Sequence, residues 1–488
     1  MSTAVVVGGG IAGLLSAHVL CQRGFSKVIL LDADAPQPGE GPAGGVASML
    51  EGAKHRGGIP QYSHPHALSM GGLEAMKALL PGFQEELVRR GGVELDVARD
   101  LRFFDFGAPY ARGPSSLTIV AATRHLIHSA LHDEVTGCNA GKLTVRGSCR
   151  VAGLLWSEDG NAVEGVRLSG SGEEVRAHVV VMAAGRQSRL PQWLEAAGHQ
   201  APDASKVDAQ LTYTTGFFRM PKDWDNERWM GHVTFGRPHG LRGCGVFPAE
   251  DRTWQVFVYG VNGEQPPTEK KQLLEYVASL PDGEIFEALR HAELLSPLKK
   301  YGGAYNIQRS YDKASVAMPG GLLVLGDAVQ ALNPVYGQGM SVAAMSALAL
   351  DSELATALAG AASPKQRRSA VQGLSRTFQK KLAAVIAPAW MMAAAEDIRY
   401  PATKVEGNGP APPSRLMQAC LDNVIRACHR KVENIELFFE IAHMVRPPSH
   451  ILHPRLVAAA LKEAVSSSLQ QLWALLWGPS PAPAKKAE

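Results

Sequence analysis

The opening stretch, TAVVVGGGIAGLLSAHVLCQRGFSKVILLDAD, constrains this chain more than any other. An apolar run stops at three glycines, a helix-like segment follows, and a second apolar run ends on an acid. The pattern predicts a strand over 4–7, a helix over 11–22 and a second strand over 27–31, a βαβ unit. Gly8, Gly10 and Gly13 fall as G-x-G-x-x-G between strand and helix. The first glycine makes the tight turn, and Gly10 lets backbone approach a pyrophosphate. Gly13, with Ala17 one turn on, keeps helix and strand close. The helix opening at Ile11 and Ala12 offers amides and a positive dipole end to phosphate. Asp32 closes the second strand, where an acid can bind ribose hydroxyls. A glycine-rich turn alone would need neither the strand–helix frame nor the acid, so the unit is read as dinucleotide-binding.

A second stretch, GLLVLGDAVQALNPVYGQGM, lies at 321–340. It too runs from an apolar strand through an acid and glycines into a small-residue helix. An acid so far downstream suits a long cofactor lying across the sheet, FAD rather than NAD. Asp327 would meet ribityl hydroxyls. Pro334 would border the substrate, and the amides around Gly337, Gly339 and Met340, at a helix N-terminus, would meet the charge of a reduced ring.

The 488 residues predict two or three domains, and 45% hydrophobic with 19% charged residues is a globular composition. A net charge of +3 without long basic, aromatic-interleaved runs argues against nucleic acid. Six scattered cysteines with no C-x-x-C pair suit a reduced, cytoplasmic protein and are expected to be small hydrophobes. Neither a signal peptide nor a spanning helix is expected. His64-Pro65-His66 resembles a metal pair but lacks a third ligand at suitable spacing, so no metal is assigned. No nucleophilic constellation stands out, and the catalytic residues stay unassigned.

The expected architecture is α/β: a Rossmann-like, three-layer FAD-binding domain over 1–205 with a return segment over 309–350. An antiparallel β substrate domain over 206–308 comes between, a helical C-terminal region over 351–478 follows, and 479–488 form a disordered tail. Alternation over 210–305 predicts an apolar pocket wall that draws on Tyr213, Phe217, Phe218, Phe247, Trp254 and Phe257; only one face of such a sheet can look inward. The last helix carries Leu461, Val465, Leu469, Leu472, Trp473 and Leu476 on one stripe. It is expected to pack on the body, with interfacial membrane contact as the alternative.

The pairing of the two glycine-rich stretches resembles the FAD-dependent aromatic hydroxylase family, whose second fingerprint is Gly-Asp followed by Pro-x-x-Gly-x-Gly. Within it, HRGGIPQYSHPHAL, ATRHLIHSAL, VVVMAAGRQSRLPQWL and AWMMAAAEDIRYP resemble the flavin epoxidases of polyether-antibiotic pathways such as those of lasalocid and monensin. The resemblance implies Arg56 near the flavin or its phosphates and Arg124 on the pyrophosphate side. It also implies a monooxygenase of secondary metabolism, an epoxidase or hydroxylase using molecular oxygen through a flavin C4a-hydroperoxide on an apolar, alkene- or aromatic-containing small molecule. Ala184-Gly185 stands where many relatives carry Asp-Gly, and no second G-x-G-x-x-G in a βαβ setting exists; GLRGCG (240–245) has its glycines in the wrong order. Electrons would come from transiently bound NAD(P)H or from reduced flavin made by a separate flavin reductase. The Trp-x-Trp-x-Ile-Pro segment of the halogenase relatives is not matched by Trp224 to Trp229. Two rivals remain, a redox-silent FAD-dependent cyclase and a flavin reductase acting on an isoprenoid-like substrate.

Overall fold

The computed structural model describes residues 2–34, 46, 61–62, 64–236, 240–313 and 315–477, without the side chains of 467–477. Arg56, the 479–488 tail and the side chains of Leu469, Leu472, Trp473 and Leu476 lie outside these. The βαβ unit forms as expected: strand Thr3–Val7, helix Ile11–Gln22 and strand Lys27–Leu31. Gly10 caps the helix in an extended conformation, and Leu14 N–H already donates to its carbonyl at 2.9 Å. The sheet built on this unit has five parallel strands, ordered Leu322–Val324, Val179–Met182, Thr3–Val7, Lys27–Leu31 and Leu143–Arg146. Its middle strands are apolar except for Thr3 and Lys27 at their starts, and helices together with the three-stranded sheet of Val151–Trp156, Val163–Leu168 and Glu174–Arg176 pack against it. Helices Ile11–Gln22, Gly339–Leu358 and Pro364–Asp397 join it in the main core.

The helix Gly339–Leu358 is the one helix among the described residues long and apolar enough to cross a membrane by length and composition. Its apolar residues Val342, Ala344, Ala347, Leu350 and Leu354 are instead packed into this core. A 34-residue helix, Pro364–Asp397, starts on a capping box in which Ser363 and Gln366 satisfy each other's backbone amides.

A nine-stranded mixed sheet is the second layer. Its centre is the long strand Ala204–Arg219, flanked by Lys299–Arg309 and by Thr253–Gly260, then Arg242–Ala249, Gly231–Thr234 and Leu101–Asp105. The antiparallel expectation holds for most pairs, but Gly231–Thr234 runs parallel to Leu101–Asp105. This sheet therefore borrows two strands, Leu101–Asp105 and Ala108–Pro109, from before residue 110. Helices Lys270–Ala278 and Glu284–Leu289 cover one face, burying Phe218, Trp229, Val246, Trp254, Val256 and Val258.

After Pro364–Asp397 the chain forms the helices Arg415–Ala427, Val432–Ala442 and Pro454–Trp477. The last packs through Leu456 and Ala460 and pairs its Glu463 with Arg430 at 2.9 Å. Of the expected stripe, Leu461 and Val465 are exposed.

Candidate functional site

The carboxyl ends of the parallel strands open on one continuous cavity of about 1290 Å³. In open α/β sheets a ligand binds outside those ends. The volume exceeds the ~300–1,000 Å³ of an ordinary small-molecule pocket, as a cavity for cofactor plus substrate should.

One group of lining residues comes from the loops at the strand ends: Gly8 to Ala12, Asp32, Ala184 to Arg186, Asp327 and Pro334 to Met340. Gly8 has φ +106°, and a Cβ there would sit 2.3 Å from the Ala183 carbonyl oxygen. A Cβ on Gly13 would lie 1.8 Å from the Gly8 carbonyl oxygen, so Gly13 is the helix–strand contact rather than a cavity wall. A Cβ on Gly10 would meet nothing within 4 Å; the space it would take is cavity. That is what a pyrophosphate pressed against bare backbone requires. Asp32 faces the cavity and accepts from the Asp34 amide at 2.8 Å.

Two residues that shape the first turn escape a search for the fingerprint alone. A Cβ on Gly9 would strike the Asp32 carboxylate at 2.1 Å, so the middle glycine sets how close the acid comes. Buried His128 holds the Gly9 carbonyl through Nε2 at 2.8 Å. It lies one turn after Arg124 on helix Arg124–Cys138, the spacing that shares a helix face, and this was the available signal. Arg124 lines the cavity at that helix's N-terminus.

The second fingerprint meets the first directly. A Cβ on Gly326 would lie 2.8 Å from the Ala12 Cβ, which brings Asp327 to the cavity beside the first helix. Burial raises the Asp327 carboxyl above its usual range, opposed by the charges of Arg186, Arg124 and Arg309. Arg309 braces the turn by donating to the Ala328 carbonyl at 3.1 Å and the Arg186 carbonyl at 2.8 Å. Pro334 gives up an amide but its carbonyl is used, accepting from Gly337 N–H at 3.0 Å. Gly337 sits at φ +66°, and neither it nor Gly339 has any neighbour within 4 Å of a built Cβ. The N-terminus of Gly339–Leu358 thus opens into the cavity, with Gly339 and Met340 in its wall.

The second group of lining residues is apolar. The mixed sheet turns one face to the cavity, and strict alternation sorts its residues. Tyr213, Phe247, Phe257 and Tyr259 line the cavity, whereas Phe218 and Trp254 point into the core behind. Phe217 also misses the cavity and packs against Val46 and Ala249. Gly243 and Gly245, noted in the sequence only as wrongly ordered, have a local task. Cβ atoms there would lie 2.3 Å from the Tyr259 and Phe257 rings respectively, so the rings lie flat over the bare strand. We expect Gly243→Val to force the Tyr259 ring into the cavity and weaken binding of a large apolar ligand at least about tenfold, ~1.4 kcal/mol. FAD content should be unchanged, and ligand titration against absorbance of the loaded protein reads both.

The rest of the wall was not anticipated. Phe103 lies on the strand Leu101–Asp105 and Tyr110 just after it, and Met391, Met392, Met417, Ile425, Phe438 and Phe439 come from the C-terminal helices. Trp224 and Trp229 pack on each other at 4.5 Å in the core behind the sheet and do not line the cavity. His64 Nδ1 pairs with Thr215 Oγ1 at 2.6 Å and His66 Nδ1 with the His64 carbonyl at 2.6 Å. Among the described residues no three metal-ligating side chains cluster. Burial and the Arg124 charge push His66 down to about 3, so it is neutral.

A glycine-lined turn at a helix N-terminus, an acid on the second strand and a second acid–glycine loop across the sheet define a dinucleotide-binding flavoprotein fold. Residues 1–377 match the family described as FAD binding domain, and the chain belongs to that family. It is 28% identical over 413 residues to protein Rv3254 of Mycobacterium tuberculosis, covering 81% of this chain and 80% of that one. Among solved structures it is similar to a flavoprotein/dehydrogenase from Cytophaga hutchinsonii, with TM-score 0.63 at 14% identity over 96% of this chain and 99% of the other. It is also similar to pqsL from Pseudomonas aeruginosa, with TM-score 0.57 at 18% identity over 82% and 98% of the two chains.

Proposed function

We propose that the protein is an FAD-dependent monooxygenase, an epoxidase or hydroxylase that transfers one oxygen atom from O2 to an apolar, alkene- or aromatic-containing small molecule. The observation that carries this is the single cavity, in which the nucleotide-facing loops and an aromatic, aliphatic wall share one space. The fold's similarity to pqsL, described as a probable FAD-dependent monooxygenase, supports it. Bound there, FAD would supply oxygen activation. The chain would supply the rest. Gly10 and the helix N-terminus would hold the pyrophosphate, Asp32 and Asp327 the hydroxyls, and Gly337 to Met340 the ring. Phe103, Phe247, Phe257, Phe438 and Phe439 would orient the substrate against it and keep water away. No general base is needed for transfer of an electrophilic oxygen to an electron-rich double bond.

Ala184 leaves the turn before Arg186 without the acid of many relatives, and the described residues hold no second glycine-rich βαβ unit. Reducing equivalents would therefore come from transiently bound NAD(P)H or from a flavin reductase. The similarity to a flavoprotein/dehydrogenase favours a second reading, oxygen-independent hydride transfer. Oxygen uptake with reductant and a polyene or aromatic probe distinguishes them. Substrate-stimulated uptake with product carrying one labelled oxygen from O2 is expected; turnover that proceeds equally without oxygen would support the dehydrogenase, and isomerised product without oxygen uptake the redox-silent cyclase.

A further inference from the structure

Asp397, the last residue of the long helix Pro364–Asp397, is 1% exposed and belongs to neither fingerprint. Four hydrogen bonds converge on its two carboxylate oxygens. Tyr336 Oη donates at 2.5 Å, Asn306 Nδ2 at 2.6 Å, and Asn333 Nδ2 reaches both oxygens at 2.9 and 3.1 Å. Asn333 in turn caps the turn it belongs to, its Oδ1 accepting from Val335 N–H at 3.0 Å, while its own amide donates to Asn306 Oδ1 at 2.7 Å. Asn333, Pro334, Val335 and Tyr336 form the front of the loop whose far end, Gly337 to Met340, walls the cavity. The helix end that carries Asp397 also presents Met391, Met392, Ala395, Glu396 and, just beyond, Tyr400 to the same cavity. Asp397 lies past residue 377, outside the part of the chain that matches the family.

We propose that Asp397 is a positioning residue that holds the 333–340 loop against the flavin and ties its conformation to the substrate-facing end of the long helix. The inference rests on the flavin reading above. Every side chain that meets the carboxylate is a donor, so the cluster is built for an anion. Burial opposes that charge and raises the carboxyl to about 6, while Tyr336, Asn333 and Asn306 pull it down and neighbouring Glu396 pushes it up. The folded chain therefore holds this proton to higher pH than an unfolded one, and ionisation lowers stability as pH rises from about 4 through about 6. A buried charge that works against the fold points to a use in the site. The charged and titratable groups around it are few. Glu396 is paired with Arg399 at 3.1 Å, and Arg399 with Asp422 at 2.7 Å. Burial keeps the Tyr336 phenol neutral, and Lys299–Arg309 contributes only Asn306 at the contact. Below about pH 6 the carboxyl gains a proton, and one of its oxygens turns from acceptor to donor, which changes the bonds that hold the 333–336 turn.

The test is a pH titration of the FAD-loaded protein, following the flavin midpoint potential and the ring's absorption band. Wild type should show a break near pH 6 in both. Asp397→Asn, which keeps size but places an amide among donors, should bind FAD yet show no break. Tyr336→Phe keeps the carboxylate and removes one donor, so its break should move to higher pH; it also serves if the first variant does not fold. Wild-type and variant titrations that superimpose, or Tyr336→Phe with an unmoved break, would overturn the inference while leaving the flavin reading standing. A wild-type protein that cannot be loaded with FAD would overturn both.

Discussion

Gly10→Val is expected to lose FAD while keeping its fold. The new side chain meets no protein atom within 4 Å of its Cβ, so the apo protein should melt within a few degrees of apo wild type. The branched carbons would instead occupy the space open to a pyrophosphate. A loss of at least about 100-fold in affinity follows, ~2.8 kcal/mol at ~1.4 kcal/mol per factor of ten. Gly13→Val is the contrasting case. Its Cβ would lie 1.8 Å from the Gly8 carbonyl oxygen, and the helix must move off the strand. Overpacking of this kind costs about 1–3 kcal/mol or more, so this variant should lose both stability and FAD. Isothermal titration with FAD and thermal unfolding of the stripped proteins check the pair. Wild-type affinity in Gly10→Val would make the first turn purely structural.

Gly339→Leu probes the other end of the cofactor in the same way. The position has open space around it, so the fold should tolerate the change. A leucine there would push the flavin ring off the helix N-terminus and remove its dipole from the reduced, anionic form. Such a dipole is worth about 0.3–1 kcal/mol at an exposed site and ~2 kcal/mol when partly buried. The variant should bind FAD more weakly or hold it at a lower midpoint potential, with oxygen uptake becoming less coupled to product. Equal occupancy, potential and coupling would reduce the stretch to an ordinary strand, turn and helix.

How much of this was legible in the sequence depended on distance along the chain. Helix Ile11–Gln22 and strand Lys27–Leu31 begin and end where glycine, periodicity and Asp32 said they would, because a βαβ unit is local. The strand, turn and helix of the second stretch were readable for the same reason. The alternation over 210–305 was visible, but not which parity faced the cavity. Phe218 and Trp254 read as pocket residues just as well as Phe257 does. Only the helices Lys270–Ala278 and Glu284–Leu289, packed on the even-numbered side, decide that they do not. Nothing local says that the Phe103 and Phe439 rings meet at 4.8 Å, or that the C-terminal helices close the cavity. An amphipathic helix shows that it has a partner and does not name it. Leu461 and Val465 mark the same limit, apolar at helical spacing yet turned outward. Asp397 was quoted within AWMMAAAEDIRYP, but its donors come from 306, 333 and 336, too far upstream for spacing to reveal.

Part of the cavity's apolar wall has a separate origin in the chain. The nucleotide-facing loops lie within 1–377, whereas Met391, Met417, Ile425, Phe438 and Phe439 come after it. Cofactor grip and substrate taste can therefore drift independently: replacing side chains between 391 and 451 recontours what is admitted without touching a single glycine of either fingerprint. That freedom ends where the late helices hold the 333–340 loop, at Asp397 and at the Ala442 carbonyl that accepts from Gln338 Nε2 at 2.9 Å. A transplanted C-terminal region that lacks an acid there would bring a new appetite to a loosened flavin loop, so any graft between relatives should be cut to keep this carboxylate with the tyrosine and asparagines it serves.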